Sequence, residues 1–171
     1  LAREVPPVNA NATQIHQVLL NLCVNARDAM PSGGTLRLRL AAEQLDPEDP
    51  RLEPGARSGE YVQIEVIDSG VGIPPALLGR IWEPFFTTKE HGRGTGLGLS
   101  TVRTILHRHR GFCRVVSRPG EGTCFTLFLP VDAPSVGKLA EQTSTGATEH
   151  RNGQGETILV VDDESAVLDL T

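Results

Sequence analysis

Gly92, Gly94, Gly96 and Gly98 alternate in the run GRGTGLGLS at 92–100, directly ahead of a segment with helical apolar periodicity. Such a loop is entropically costly, so it makes sense where backbone N–H groups must meet an anion at a helix N-terminus. Three other runs precede it in the order NLCVNARDA (21–29), DSGVGI (68–73) and EPFFTTK (83–89). An amide-rich helix, a carboxylate–glycine turn and a glycine-dense loop, in that order within about 80 residues, describe a nucleotide pocket. A merely flexible loop is the alternative for the glycines alone.

The rest of the chain reads as regular structure around these runs. A helix over roughly 12–30 carries Ile15, Val18, Leu19, Leu22, Cys23, Ala26 and Met30 on one face at about 100° per residue. Asn11 suits its N-cap with Gln14 three residues on, and Pro31 with Gly33 and Gly34 ends it. A brief strand is expected around 3–5, and longer ones at 35–41, 61–67, 112–117 and 123–129. The polar, proline-bearing stretch 43–59 is too long for a tight hairpin and reads as a surface excursion. A second helix, 97–109, presents Val102, Ile105 and Leu106 on one face and stops at Gly111. Helices on one face of a mixed, mainly antiparallel sheet give an α+β fold, a two-layer α/β sandwich.

With 171 residues, 39% of them hydrophobic, there is room for one full core plus something small. The net charge of -5 lacks the basic excess of a nucleic-acid binder, and no nucleic-acid partner is expected. Arg103, Arg108, Arg110, Arg114 and Arg118 gather locally but read as a solvated helix end beside a strand. Three cysteines show no C-x-x-C spacing. Folding the last hairpin about 119–122 sets Cys113 opposite Phe128 and Cys124 opposite Ser117, so no bridge is expected and a reduced, cytoplasmic setting follows. No apolar run approaches the ~18 residues of a membrane span, and the opening LARE is no signal peptide. A longer parent could still be membrane-associated.

Asn21, Asn25 and Asp28, at i, i+4 and i+7 on the first helix, share a stripe about 60° wide beside the core face. An uncharged amide oxygen suits a Mg²⁺ that already carries anionic phosphates, because it completes an oxygen shell without repulsion. A hydrated helix flank would carry the same residues. Asp68 ends a strand, and Gly70 and Gly72 after it allow close approach of a flat ligand. A buried carboxylate there can accept from the exocyclic amine of adenine, where guanine shows a carbonyl; a plain Asp-Ser-Gly turn is the alternative. No glycine triplet has G-x-G-x-x-G spacing and no G-x-x-x-x-G-K-[ST] occurs, which disfavours a dinucleotide-binding fold and a P-loop. Lys89 and Arg93 beside the loop could supply phosphate-pairing charge. The expected ligand is ATP or ADP with Mg²⁺.

These runs closely resemble the N, G1, F and G2 boxes of the catalytic, ATP-binding domain of sensor histidine kinases. That domain belongs to the superfamily that includes DNA gyrase, the large heat-shock chaperone and mismatch-repair ATPases. PGEGTCFTLFLP at 119–130 resembles its closing strand, so the resemblance spans about 3–130 and implies a Bergerat-type fold. By position it implies that Asn25 ligates Mg²⁺, Asn21 lies near the phosphates and Asp68 reads the adenine amine. Gly70, Gly72 and Ile73 would shape the adenine end, with Thr123 assisting through water. Thr95, Gly96, Leu97 and Gly98 would wrap the phosphates, and Lys89 would join Asn21 and Asn25 in the catalytic set. Phe85 and Phe86 would belong to the hinge of an ATP lid, a role compatible with core packing. Asp28 departs from members that carry a basic residue three after the metal-binding Asn.

ATP-hydrolysing relatives place a glutamate four residues before that Asn, as general base. Here the position is Asn21, so the chain looks built to hold ATP for an external nucleophile, which in this family is a histidine on a separate helical hairpin. None of His16, His91, His107, His109 or His150 lies in a run resembling that acceptor segment. ETILVVDDE at 156–164 resembles the first strand and acidic corner of a response-regulator receiver domain. The expected organisation is a catalytic ATP-binding domain over 1–131, a linker over 132–155 and the truncated start of a receiver over 156–171, as in a hybrid kinase. The expected partners are the phosphoacceptor and dimerisation domain of the same parent and a receiver. Two rivals stand beside this reading: an ATP-driven conformational module of the gyrase or chaperone type, and a non-catalytic nucleotide-sensing module. Steady-state ATP hydrolysis compared with transfer to an added histidine-bearing hairpin separates the three.

Overall fold

The computed structural model describes residues 5–89 and 94–131. All lie in the unit Leu1–Pro134; the second unit, Ser135–Thr171, is outside the described residues. So are the strand expected at 3–5 apart from Val5, the loop residues His91, Gly92 and Arg93, and the receiver-like segment 156–171.

Helix α1 spans Ala12–Asp28. Asn11 caps it as the sequence predicts, its Oδ1 accepting from the Gln14 N–H at 3.0 Å. The N–H of Asn11 itself donates to His109 Nε2 at 3.0 Å, so the far end of the second helix completes the cap where a capping box would have used Gln14. The helix stops at Asp28 rather than Met30. The carbonyl of Ala29 accepts from Val71 N–H at 3.0 Å, which ties the helix end to the turn after β2.

Four strands follow: β1 Leu36–Leu45, β2 Gly59–Asp68, β3 Phe112–Arg118 and β4 Gly122–Pro130. They form one sheet in the order β1-β2-β4-β3, and every pairing is antiparallel. β1 and β2 run further than predicted, because Leu45 pairs with Gly59 and is fully buried. Helix α2 is Gly98–Arg108, and a short 3₁₀ turn covers Pro75–Leu77. One register expectation fails. Arg118 pairs with Gly122, so Cys113 lies opposite Leu127 and Cys124 opposite Val116. This is one position away from the predicted pairing, and it puts the two cysteines on opposite faces of the sheet.

α1 and α2 cover one face. Val18 and Leu22 meet Val102, Ile105 and Leu106 over Val66, Phe125, Leu127 and Leu129. Fully burying each large aliphatic side chain contributes about 1.5 to 3 kcal/mol, so this two-helix layer holds the sheet flat side inward. A second cluster, Leu45, Tyr61, Phe112 and Phe128, closes the end of the sheet where β2 starts. Three of the arginines gathered near α2 and β3 have partners: Arg103 lies 4.0 Å from Glu53, Arg118 3.3 Å from Glu121, and Arg114 donates to the Pro50 carbonyl. No helix among the described residues is long and apolar enough to cross a membrane.

Candidate functional site

β2 ends by placing Asp68 under the helix layer, where only 6% of it is exposed. Its Oδ1 accepts from Gly70 N–H at 2.8 Å and from Thr123 N–H at 3.2 Å. A buried carboxylate is tolerated because two backbone amide donors meet one of its oxygens. Among the described residues nothing pairs with Oδ2, and Asp68 lines a cavity of about 380 Å³. The clamp therefore decides which oxygen faces a ligand. Val71, Ile73, Leu77, Ile81, Leu99 and Phe125 supply apolar walls around it. Thr123 is 5% exposed and also lines the cavity, with its Oγ1 2.9 Å from Ser117 Oγ. Ser117 Oγ in turn accepts from Ile73 N–H at 2.8 Å and donates to the Gly122 carbonyl at 2.9 Å, so one hydroxyl fixes both sides of the pocket rim.

Gly72 lines the same cavity with φ +72°, and a Cβ there would stand 2.0 Å from the Arg118 carbonyl oxygen. The close approach that requires glycine is therefore to the β3–β4 hairpin, which braces the rim. Gly70 contributes its N–H to Asp68 and does not line the cavity.

A second cavity of about 280 Å³ adjoins the first and shares Asn25, Asp28, Phe86, Thr87 and Lys89 with it. Asn21, Arg27, Gly94, Thr95, Gly96 and Gly98 also line it, with Val24, Ile81 and Leu99 as further apolar contacts. The amide and carboxylate stripe of α1 thus faces the start of α2, and Asn21 Nδ2 donates to the Gly98 carbonyl at 3.3 Å. Among the described residues no side chain caps the N-terminus of α2, which leaves its first N–H groups for an anion. Lys89 reaches back across the opening, its Nζ 2.7 Å from Asp28 Oδ2 and 3.4 Å from Asn25 Oδ1. Chiefly the Lys89 hydrogen bond, and after it the Arg27 hydrogen bond, hold the Asp28 carboxyl below the usual carboxylate range.

The hinge aromatics separate. Phe86 packs against the main core and lines both cavities, with the Arg80 guanidinium 4.4 Å from its ring centroid. Phe85 is 75% exposed, lines neither cavity and adopts φ +67°. Its N–H donates to the Gly96 carbonyl at 3.0 Å, and Gly96, also at φ +67°, would carry a Cβ 2.4 Å from the Phe85 carbonyl carbon. The two residues are locked backbone to backbone. Leu97 points away, 38% exposed, with its N–H donating to Thr95 Oγ1 at 3.4 Å.

The structure thus brings Asn21, Asn25, Asp68, Gly72, Ile73, Lys89, Thr95, Gly96, Gly98 and Thr123 to two adjoining cavities, and leaves Gly70, Phe85 and Leu97 off their walls. Sequence reasoning missed Ser117 and the wall residues Ile81, Leu99 and Phe125. Nothing local marks Ser117, whose partners lie on two other segments. The three wall residues belong to the main core or pack against it, so no polar signal marks them as part of a site.

Residues 10–133 match the family model described as histidine kinase-, DNA gyrase B-, and HSP90-like ATPase. Over 176 aligned residues the sequence is 44% identical to sensor kinase CckA of Brucella abortus (strain 2308), covering 96% of this chain and 18% of that protein. It is 44% identical to the two-component sensor PprA of Pseudomonas aeruginosa, covering 75% of this chain and 13% of that protein. The chain therefore spans less than a fifth of these relatives' length. Among solved structures, a nucleotide-free form of the catalytic domain of histidine kinase ThkA matches with a TM-score of 0.56 at 34% identity, covering 75% of each chain. Full-length ShkA in complex with AMPPNP matches with a TM-score of 0.56 at 27% identity, over 74% of this chain and 23% of that one.

Proposed function

The chain belongs to the family of histidine kinase-, DNA gyrase B- and HSP90-like ATPases, and from that membership we propose that it is the ATP-binding catalytic domain of a two-component sensor histidine kinase. It would hold Mg-ATP and pass the γ-phosphoryl group to a histidine on the phosphoacceptor and dimerisation domain of the same parent. The observation that carries this reading is the joining of two unlike cavities through Asn25, Asp28 and Lys89. One has apolar walls and a single buried carboxylate, which suits adenine; the other has amides, a lysine and an uncapped helix start, which suits phosphates. The AMPPNP complex of the related ShkA is consistent with that ligand class.

In this site Asp68 Oδ2 would accept from the adenine amine while Oδ1 stays bound to the backbone. Asn25 would offer its Oδ1 to Mg²⁺. The oxygen already accepts from the Lys89 ammonium, so it is aimed at a cation. No cluster of three His, Cys, Asp or Glu side chains is present among the described residues, which suits a Mg²⁺ that takes most of its shell from phosphate and water. Held there, Mg²⁺ would supply positive charge against the negative charge that develops on transfer. Lys89 and the N–H groups at the start of α2 would orient the terminal phosphates, which is most of what phosphoryl transfer requires of a protein. Asn21 spends its amide on Gly98 and has no basic group for activating water, which favours transfer over hydrolysis.

The parent is read as a cytoplasmic-facing hybrid kinase. The likeness to CckA covers 96% of the chain and so runs past residue 131, where the acidic run at 162–164 would begin a receiver domain. The test is direct. With γ-labelled ATP the chain alone should take up no stable label, whereas an added histidine-bearing helical hairpin from a related kinase should become labelled in the presence of Mg²⁺. Self-labelling on a histidine of this chain, or multiple-turnover ATP hydrolysis without the hairpin, would sink the reading in favour of a different reaction.

A further inference from the structure

An acid in a pocket built for phosphates calls for an explanation. Asp28 lines the second cavity together with Arg27 and Lys89, and by itself its carboxylate would repel an anionic ligand. Its two oxygens are taken separately. Oδ1 accepts from Arg27 Nε at 3.0 Å and Nη2 at 2.8 Å; Oδ2 accepts from Lys89 Nζ at 2.7 Å. Arg27 is the neighbouring residue, and its side chain is 74% exposed. Lys89 comes from 61 positions away, its side chain only 33% exposed, and the turn that carries it is pinned by a 3.1 Å bond from its own N–H to Thr87 Oγ1. An isolated ion pair at this exposure adds little to fold stability, while holding a lysine side chain still has an entropic cost. What the pair does provide is a place: Nζ is held within 3.4 Å of Asn25 Oδ1, at the opening between the two cavities.

We propose that Asp28 is a positioning residue that aims Lys89 at the terminal phosphates, so that the phosphate-pairing cation is delivered to helix α1 from the segment after β2 instead of standing on the helix. Asp28 touches no ligand in this account and acts through Lys89. The inference rests on the nucleotide-site reading, and its test separates the two. If Asp28 were only a bystander, Asp28→Asn would remove a repulsive charge and ATP would bind more tightly or equally. If it positions Lys89, the same substitution keeps the shape, releases the ammonium and weakens ATP binding.

The experiment titrates the chain with Mg-ATP and with AMP by calorimetry, for the unaltered protein, Asp28→Asn, Lys89→Ala and the double variant. Asp28→Asn and Lys89→Ala should each lose roughly three- to tenfold in ATP affinity and lose less for AMP, which has no terminal phosphates, while unchanged urea midpoints show that the variants are folded. In the Lys89→Ala background Asp28→Asn should reverse sign and improve ATP binding, because only repulsion is left to remove. Asp28→Glu, which retains the acceptor, should restore most of the loss. An Asp28→Asn protein that binds ATP as well as or better than the unaltered one overturns this inference alone. Additive single losses in the double variant would do the same. Failure of the unaltered chain to bind either nucleotide would overturn the site reading and this inference together.

Discussion

The shared strands β2 and β4 end in two very different places. At one end Asp68 and Thr123 pair across the ladder, both buried, both polar, and both at the wall of a cavity. At the other end Tyr61 pairs with Pro130, and Phe112 stacks on Phe128 with centroids 4.7 Å apart while Tyr61 meets both edge-on. That end too opens on a cavity, of about 530 Å³, bordered by the loop at 53–60 and by His107. It is larger than either cavity at the Asp68 end. Size therefore does not identify the functional end. The distinction is chemical: one end commits a buried carboxylate to two backbone amides and leaves an oxygen over, whereas the other pairs the Tyr61 hydroxyl with a backbone carbonyl and packs three rings together.

The aromatic end should carry stability and little binding. Phe128 is 1% exposed and stacked, so Phe128→Ala should destabilise the fold by about 3 to 5 kcal/mol, as large-to-small changes at buried aromatics do. ATP affinity measured well below the lowered melting point should stay within about twofold. A tenfold loss of affinity with little change in the urea midpoint would break the comparison, because the two ends would then be one unit.

The Asp68 end should show the opposite pattern. In Asp68→Asn the carbonyl oxygen of the amide can still accept from Gly70 and Thr123 N–H, and this clamp then turns the NH₂ group toward the cavity. An adenine amine would face another donor, and a charge-assisted bond of roughly 1.5 to 3 kcal/mol would be lost. ATP affinity should fall at least ~10-fold, the equivalent of about 1.4 kcal/mol, while GTP, which presents an oxygen there, should lose less or gain. The unaltered chain should prefer ATP over GTP by a similar factor. An ATP/GTP ratio unmoved by the substitution would reduce Asp68 to a turn residue.

The same contrast explains what could be read from the sequence. That Asn25 and Asp68 would lie at one site was legible because their placement is local: a helical spacing fixes which way an amide points, and two glycines after an acid mark a turn. Asn11 as N-cap was legible for the same reason. Contacts that close over long sequence separations were not. The Lys89–Asp28 pair spans 61 positions and the Asn11–His109 bond 98, and no periodicity encodes either. The hairpin register was missed by one residue, since Pro119, Gly120 and Glu121 all suit a turn and only the pairing of Arg118 with Gly122 decides where it sits. Leu45 illustrates the aromatic end: it looks like the edge of a polar loop, yet it is fully buried because the chain at 46–58 folds back over Tyr61.

The smallest expected effect is also the cleanest, because Tyr61 is the single tyrosine of the chain. Its hydroxyl donates to the Arg57 carbonyl at 2.6 Å, and burial pushes its pKa above the ordinary tyrosine value. Removing the hydroxyl in Tyr61→Phe keeps the ring packing and should cost about 1 kcal/mol at neutral pH. The sign of the pH dependence follows from the raised pKa. Below the unfolded-state value of about 10, both folded and unfolded chains keep the proton and the contribution is fully present. As pH rises through that value toward the folded-state pKa, only the unfolded chain ionises, and the contribution is lost. Urea midpoints between pH 8 and about pH 11 should therefore fall more steeply for the unaltered chain than for Tyr61→Phe, with ultraviolet absorbance reporting phenolate only as the chain unfolds. ATP affinity at pH 8 should be equal in the two proteins. Equal slopes, or early phenolate formation in the folded chain, would mean that water reaches the hydroxyl and that the aromatic end is as open as the one that holds Asp68.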